Sequence, residues 1–347
     1  MRREGWIDAC RFWAIFVIMF THFLSMFLPE ALSLWEGGAS WWLLGGLTGK
    51  FSVAFFFVLL GYFASAPKPF SLAAFGQYAA RRYFQFVFFV FVTVFVYILG
   101  CYGATWLFHT PEEYAFRVIS DGPRYNLIYL LHDGFLFEDN YNATLWCMRQ
   151  LFLASLVCRA LGYLPERWKS RYKIGAALLV MALLMLLDSG WCVWICVAVL
   201  GYLLRFALDT WKAHPALTRP WVLGLLFCLA VCCIKAPLSE GVPLYSLQGL
   251  GAFLLLLVLF HAGFARKLLA ARPFPWLGGI SMGLFVVHTP INSLLGSSLL
   301  PLLERFLPKG LALALGFLLS FALCVLCAWL LQRGYARVTG RLRWQRV

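Results

Sequence analysis

Charged residues are scarce in this chain, and acidic residues are the scarcest of them. Only 13% of the 347 residues are charged, and Asp and Glu together number 15, whereas 62% of the residues are hydrophobic. The mean hydropathy of +0.80 excludes a soluble globular domain, in which about 25% of residues are charged. Because lipid satisfies no backbone polar group, each apolar segment of such a chain is expected to be a helix.

Apolar runs close to the length that crosses a bilayer follow one another along the chain. They cover residues 9–28, 48–66, 83–101, 145–164, 174–187, 190–206, 221–235, 244–264, 276–297 and 311–332. The fold class that we expect is all-α, a multi-pass membrane helix bundle with about ten transmembrane helices.

The basic residues are placed asymmetrically along this pattern. Most of the 29 Lys and Arg residues fall in the N-terminal segment and in every second connection after it, so the positive-inside rule predicts that both termini are cytoplasmic. Topology therefore explains the net charge of +14, and no nucleic-acid partner is required. The expected location is the cell membrane, inner or plasma.

No internal repeat, low-complexity segment or appended soluble domain is visible, so residues 1–347 are expected to form one transmembrane domain. No small-residue cleavage site follows the first apolar run, which we expect to be a retained helix. The longest connection, at about residues 102–144, is predicted to be an outer loop that is rich in carboxylates and aromatic rings. Such a loop either stacks against a sugar or forms an amphipathic cap on the membrane interface.

Two ionisable side chains, Arg11 and His22, lie within the first apolar run, where their cost usually marks a functional site. Eleven residues rotate a helix by roughly 1100° and advance it by about 16 Å, so the two share one face. Asp8, one turn before Arg11, can pair with the guanidinium, whose planar fork suits a phosphate. The alternatives are a snorkelling anchor for Arg11 and a histidine hydrogen-bonded between helices for His22.

A second histidine, His288, lies in the middle of the ninth run, and Ser281 precedes it by two turns on the same face. The topology places His22 and His288 at comparable depth, which predicts a central polar site. Arg81 and Arg82 open the third run at its cytoplasmic end and either form a basic mouth for a phosphorylated donor or only orient the helix. Arg149 is expected near the outer boundary.

The 11 cysteines lie mostly within the apolar runs. Small apolar side chains of this kind usually pack between helices. A metal or redox role for the pair Cys324 and Cys327 is the less favoured interpretation, because a C-x-x-C motif normally needs a polar setting. We therefore expect no metal site.

Four stretches, in order, resemble the acyltransferase-3 family of integral-membrane O-acyltransferases. They are WIDACR at 6–11 with His22 eleven residues after Arg11, GKFSVAFFFVLLGY at 49–62, Arg81-Arg82 with LWCM at 145–148, and ISMGLFVVHTP at 280–290. Leu60, Gln85 and Leu151 depart from the family's usual serine, arginine and glutamate. The resemblance covers the whole chain and agrees with the helix count.

The resemblance implies transfer of an acyl group, usually acetyl from acetyl-CoA as co-substrate with no bound cofactor, onto a hydroxyl of a cell-surface glycan or lipid-linked sugar. Arg11 and His22 correspond to the family's essential pair, and we add His288 as a third catalytic candidate. The donor-binding candidates are Asp8, Arg11, Arg81 and Arg82, and the pocket candidates are Gly61, Tyr62, Trp146, Arg149 and Ser281.

The hypothesis from the residues is that His22 deprotonates the acceptor hydroxyl or carries the acyl group, and that His288 or Ser281 orients it or stabilises the oxyanion. Expected partners are acyl-CoA, a glycan acceptor, membrane lipid and polysaccharide synthesis machinery. Two alternatives stay open: a glycan exporter, since membrane-depth ionisable residues also line transport pathways, and a non-catalytic partner of a polysaccharide synthase.

Overall fold

The structure is a computed structural model, and it describes residues 4–29, 48–108, 113–187, 190–236 and 241–340. All regular structure in these ranges is helical. The α-helices are α1 (Gly5–Phe27), α2 (Gly49–Ala64), α3 (Leu72–Phe108), α4 (Glu113–Leu131), α5 (Trp146–Leu161), α6 (Ser170–Met185), α7 (Gly190–Ala213), α8 (Pro220–Ile234), α9 (Val242–His261), α10 (Gly263–Leu269), α11 (Phe274–Gly279), α12 (Ser281–Glu304) and α13 (Lys309–Val338). A π-helical turn covers His132–Leu136, and 3-10 turns cover Ala143–Leu145 and Pro215–Thr218.

Every apolar run of the sequence coincides with helix, which confirms the all-α fold class. Within the described residues, five helices are long and apolar enough to cross a membrane, namely α1, α3, α7, α9 and α13. Helices α2 and α8 and the first part of α12 are apolar but shorter. The ninth run is divided between α11 and α12 at Ile280. The count of ten spans and the side of the termini stay predictions.

Much of the segment predicted as an outer loop is helical. Helix α3 extends to Phe108, and α4 follows with a kink at Gly122, whose φ of 71° is accessible to glycine. The side-chain amide of Asn126, after the kink, donates to the carbonyl oxygen of Val118 before the kink at 2.9 Å and to the hydroxyl of Tyr102 at 2.9 Å. A buried polar side chain thus holds the two halves of α4 together.

The chain divides into two compact units, of which the first comprises Met1–Leu32, Tyr83–Arg149 and Arg272–Val347. In this unit α1 packs on α11 and α12, and α12 packs on α13. A Cβ atom on Gly278 would lie 1.7 Å from the carbonyl oxygen of Asp8, so the backbones of α11 and α1 touch there. This contact holds the first turns of α1 against the segment that leads into α12.

The second unit comprises Ser33–Arg82 and Gln150–Ala271, and its closest helix contact joins α2 and α7. A Cβ atom on Gly61 would lie 1.7 Å from the carbonyl oxygen of Ala198, and one on Gly201 would lie 2.0 Å from that of Val58. Paired small residues of this kind let two apolar helices approach backbone to backbone. The glycine of the second motif is therefore explained by helix packing.

Two arginines close the C-terminal end of α2. Arg205 donates to the hydroxyl of Ser65 at 3.1 Å and to the carbonyl oxygen of Tyr62, and its guanidinium lies 4.6 Å from the centre of the Tyr62 ring. Arg159, only 6% exposed, donates to the carbonyl oxygen of Ala66 at 3.2 Å. Cations at a helix C-terminus stabilise its last carbonyl groups. These contacts give both arginines a structural role.

Candidate functional site

The two histidines that the sequence places at comparable depth meet in the first unit. The ring centres of His22 on α1 and His288 on α12 are 5.3 Å apart, and the ring planes cross at 76°. His288 is fully buried and His22 is half-buried. Of the residues that the structure describes, none hydrogen-bonds the imidazole of His22. One ring of the pair is thus accessible, and the other is enclosed.

Hydrogen bonding determines the tautomer of His288. Its Nδ1 lies 2.7 Å from the carbonyl oxygen of Phe285, and because a carbonyl oxygen only accepts, Nδ1 carries the proton. In the neutral imidazole, Nε2 then holds a lone pair. Nε2 is buried and has no hydrogen-bond partner among the described residues. The ring therefore presents a buried proton acceptor beside His22, and in this tautomer Nε2 cannot donate to an oxyanion.

A proline and an asparagine fix this part of α12. Pro290 has no N–H group, so the carbonyl oxygen of Val286, four residues earlier, lacks its helical donor. The side-chain amide of Asn142 donates to that oxygen at 2.9 Å, and the other end of the same amide accepts from the hydroxyl of Thr144 at 2.6 Å. The 3-10 turn before α5 is thereby fastened to the helix that carries His288.

The predicted pair of Asp8 and Arg11 is formed, with 2.9 Å between Oδ1 and Nη1. Asp8 is buried, and its carbonyl oxygen faces Gly278 across the contact of α1 with α11. The side chain of Arg11 retains 27% of its accessible surface. The ion pair therefore anchors one end of the guanidinium and leaves part of it accessible.

A polar cluster that the sequence did not indicate lies on α12 beyond His288. Asn292 is 1% exposed, and its Oδ1 accepts a hydrogen bond from the hydroxyl of Ser320 on α13. Its Nδ2 and the hydroxyl oxygen of Thr289 are buried without a hydrogen-bond partner among the described residues. Because most buried side-chain polar atoms in proteins have a hydrogen-bond partner, these two unpaired atoms within four residues of His288 make this stretch of α12 a candidate part of the site.

Arg149, a pocket candidate, reaches the segment before α5. Its Nε donates to the carbonyl oxygen of Leu136 at 3.2 Å, and its Nη2 lies 3.7 Å from a carboxylate oxygen of Glu138. Glu138 is therefore an acidic partner of Arg149. These contacts tie the predicted outer segment to the start of α5.

Asp133 organises the same segment. It is fully buried, and its carboxylate accepts from the backbone N–H groups of Asn140 at 3.1 Å and of Tyr141 at 3.0 Å. Burial raises the pKa of Asp133, and the hydrogen bonds from Tyr141 and Asn140 act in the opposite direction. The carboxylate serves as the shared acceptor of the turn that leads to Asn142.

The remaining candidates are distributed over both units. Ser281 starts α12, where it is 8% exposed, and Trp146 starts α5 and is half-buried. Gly61 and Tyr62 lie in the second unit, as do Arg81, which is exposed, and Arg82, which is half-buried. The catalytic and donor-binding roles of all these residues stay predictions.

The cysteines in the described ranges form no disulfide, and most of them are buried. In the same ranges no group of three or more His, Cys, Asp or Glu side chains is arranged to hold a metal ion. Burial of Cys324 within α13 fits the packing interpretation of these residues.

Helices long and apolar enough to cross a membrane, and two histidines in contact between α1 and α12, are features of an integral-membrane protein. Residues 4–333 match the family model Acyl_transf_3, described as an acyltransferase domain. The chain belongs to this acyltransferase-3 family and is a membrane acyltransferase, which confirms the resemblance carried by the four stretches. No curated protein and no solved structure matches the chain.

Proposed function

We propose that this membrane acyltransferase transfers an acetyl group from cytosolic acetyl-CoA to a hydroxyl of an extracytoplasmic or lipid-linked glycan. The observation that supports the proposal most directly is the pair of His22 and His288, 5.3 Å apart at ring centres, in a family whose domain covers almost the whole chain. A hydroxyl is a weak nucleophile and needs a proton acceptor at the moment of attack. The proposed setting is multi-pass in the cell membrane, beside polysaccharide synthesis machinery.

The donor is proposed to bind through its phosphates at Arg11. Asp8 holds one part of this guanidinium, and the accessible remainder presents the planar fork that matches phosphate oxygens. His22 lies about 16 Å further along the same helix face, a distance over which the extended pantetheine arm of CoA carries the thioester. Arg81 and Arg82 are proposed to add positive charge on the cytoplasmic side.

The proposed reaction uses His22 as the general base. Its imidazole takes the proton of the acceptor hydroxyl, and the hydroxyl oxygen attacks the acyl carbon. The carbonyl electron pair moves to oxygen and returns as the carbon–sulfur bond breaks, and the CoA thiolate leaves with the proton from His22. The lone pair of His288 Nε2 is proposed to stabilise the imidazolium that exists between these two transfers.

Inside-out membrane vesicles that contain the chain and its native acceptor test the proposal with radiolabelled acetyl-CoA. We expect label to enter the glycan fraction with the wild-type chain and not with His22→Ala. His261→Ala is the matched control, because that ring binds the carbonyl oxygen of Leu257 in its own helix α9. Unchanged transfer by His22→Ala contradicts the mechanism. Glycan movement without consumption of acetyl-CoA would instead support the exporter.

A further inference from the structure

Three buried polar atoms on one stretch of α12 lack a hydrogen-bond partner among the described residues. They are His288 Nε2, the hydroxyl oxygen of Thr289, and Asn292 Nδ2. The first is an acceptor in the tautomer that the contact of Nδ1 with the Phe285 carbonyl oxygen requires, and the last is an obligatory donor. A buried donor and a buried acceptor, both unsatisfied, are complementary to a ligand that offers an acceptor and a donor in return.

The amide of Asn292 is held in one orientation. The hydroxyl of Ser320 on α13 donates to its Oδ1, so Nδ2 is the end that is left without a partner among the described residues. Asn292 follows His288 by four residues, which places it about 40° around the helix and about 6 Å further along it. Its side chain therefore belongs to the same face of α12 as the histidine of the pair.

The proposed reaction needs a hydrogen-bond donor at the acyl carbonyl oxygen, and the histidine pair does not supply one. Acyl transfer concentrates negative charge on the carbonyl oxygen, and a positioned donor at that oxygen is usually a large contribution to catalysis. His288 has no N–H at Nε2 in this tautomer, and its Nδ1–H is bound to the carbonyl oxygen of Phe285. Ser281 lies two turns before His288, near the start of the helix.

We infer that Asn292 is a catalytic residue whose Nδ2 donates to the carbonyl oxygen of the acyl group and to the oxyanion that forms from it. The inference rests on the proposed function. As the acceptor oxygen bonds to the acyl carbon, the carbonyl electron pair moves to the oxygen that faces Nδ2. When that pair returns, the carbon–sulfur bond breaks, and the CoA thiolate takes the proton that His22 removed from the acceptor. Asn292 transfers no proton, and Ser320 is a positioning residue.

The test measures kcat and the KM for acetyl-CoA with Asn292→Ala in nanodiscs. The probe is radiolabelled acetyl-CoA, with a lipid-linked glycan extract of the native membrane as acceptor. Because the hydrogen bond from Nδ2 is much stronger to the oxyanion than to the neutral carbonyl oxygen of the bound substrate, we expect kcat to fall about 100- to 1000-fold while KM changes little. Ser320→Ala keeps the Nδ2 donor of Asn292 but removes the hydrogen bond that orients it. We expect kcat to fall about fivefold, which corresponds to the free energy of one neutral hydrogen bond.

Thr93→Val is the matched control. Thr93 lies on α3, is buried, and its hydroxyl oxygen has no hydrogen-bond partner among the described residues, yet no reaction step involves it. We expect its kcat to be that of the wild type. A melting temperature measured for each variant separates loss of the donor from loss of the fold.

Wild-type kcat in folded Asn292→Ala overturns the inference, and so does a fall in kcat that is matched by Thr93→Val. Should Asn292→Ala not fold, Ser320→Ala decides alone, and wild-type kcat in that variant overturns the inference. These outcomes differ from failure of the proposed function, in which the wild-type chain itself transfers no label. They also differ from failure of the base, in which His22→Ala retains transfer.

Discussion

The substitution Asn142→Ala should destabilise the protein strongly, although Asn142 lies outside the histidine pair. It removes the 2.9 Å bond to the carbonyl oxygen of Val286 and the bonds of Oδ1 to the hydroxyl of Thr144 at 2.6 Å and to its backbone N–H at 3.2 Å. Asn142 is 0% exposed, and Val286 is also buried. An orphaned buried acceptor costs about 1–3 kcal/mol, so with the lost threonine bonds we expect a fall of about 2–4 kcal/mol in the free energy of unfolding.

The reason for this cost can be tested separately with Pro290→Ala. The alanine N–H lies four residues after Val286 and can donate to the carbonyl oxygen that Asn142 no longer reaches. In the Asn142→Ala background, Pro290→Ala should therefore recover about 1–2 kcal/mol more than it contributes in the wild type. Gains from helix propensity occur in both backgrounds and cancel in this comparison. Pro301→Ala, on the same helix but exposed, is the matched control and should be additive with Asn142→Ala.

The assay is unfolding in mixed micelles, followed by circular dichroism and by tryptophan fluorescence, for the wild type, the three single variants and the two double variants. The reasoning is refuted if Asn142→Ala and Pro290→Ala are additive to within about 0.5 kcal/mol, the limit expected for independent sites. Coupling of Asn142 with Pro301 that equals its coupling with Pro290 would refute it as well.

Three further predictions concern other parts of the first unit. Gly278→Ala places a Cβ 1.7 Å from the carbonyl oxygen of Asp8, and because backbone cannot move easily we expect a loss of about 3 kcal/mol or more in the free energy of unfolding. Gly310→Ala, with open space around it, should be neutral or stabilising. Melting temperatures compare the two variants. Arg11→Lys keeps the charge but loses the fork, so the KM for acetyl-CoA should rise while kcat changes little in steady-state transfer assays; unchanged KM contradicts phosphate binding there. Asp133→Ala removes the shared acceptor of the following turn and should lower the free energy of unfolding by about 1–3 kcal/mol. We expect faster hydrogen exchange at residues 137–141, and exchange at the wild-type rate contradicts this role.

The helices could be predicted from the sequence because the cost of exposing backbone to lipid converts each apolar run into a helix. The same cost drew attention to His22 and His288, which the structure brings together. The pairing of Asp8 with Arg11 followed from one turn of helix. In each case the signal in the sequence comes from neighbouring residues or from depth in the membrane alone.

The residues that the sequence did not reveal form hydrogen bonds with partners far away in the sequence. Each of them costs little free energy to bury. Asn142 and Val286 are 144 residues apart, and Asn292 and Ser320 are 28 apart. Asn142 lies in a turn outside the apolar runs, where polar side chains are ordinary, and Asn292 is a single uncharged polar residue of a kind that hydrogen-bonds between membrane helices, so neither asparagine is conspicuous by composition. Pro290 was a usable signal, because a proline within a helix leaves the carbonyl oxygen four residues earlier without its helical donor. The sequence does not indicate which residue provides the replacement donor.

The hydrogen bond from His288 Nδ1 to Phe285 also limits the route of a proton through the site. A backbone carbonyl oxygen does not become a proton carrier at physiological pH, so a proton that enters the ring at Nε2 must leave again at Nε2. The ring is thus the end of a path and not a relay across the membrane. The proposed acyl transfer at this pair therefore needs no passage of a proton through the His288 ring from one membrane face to the other.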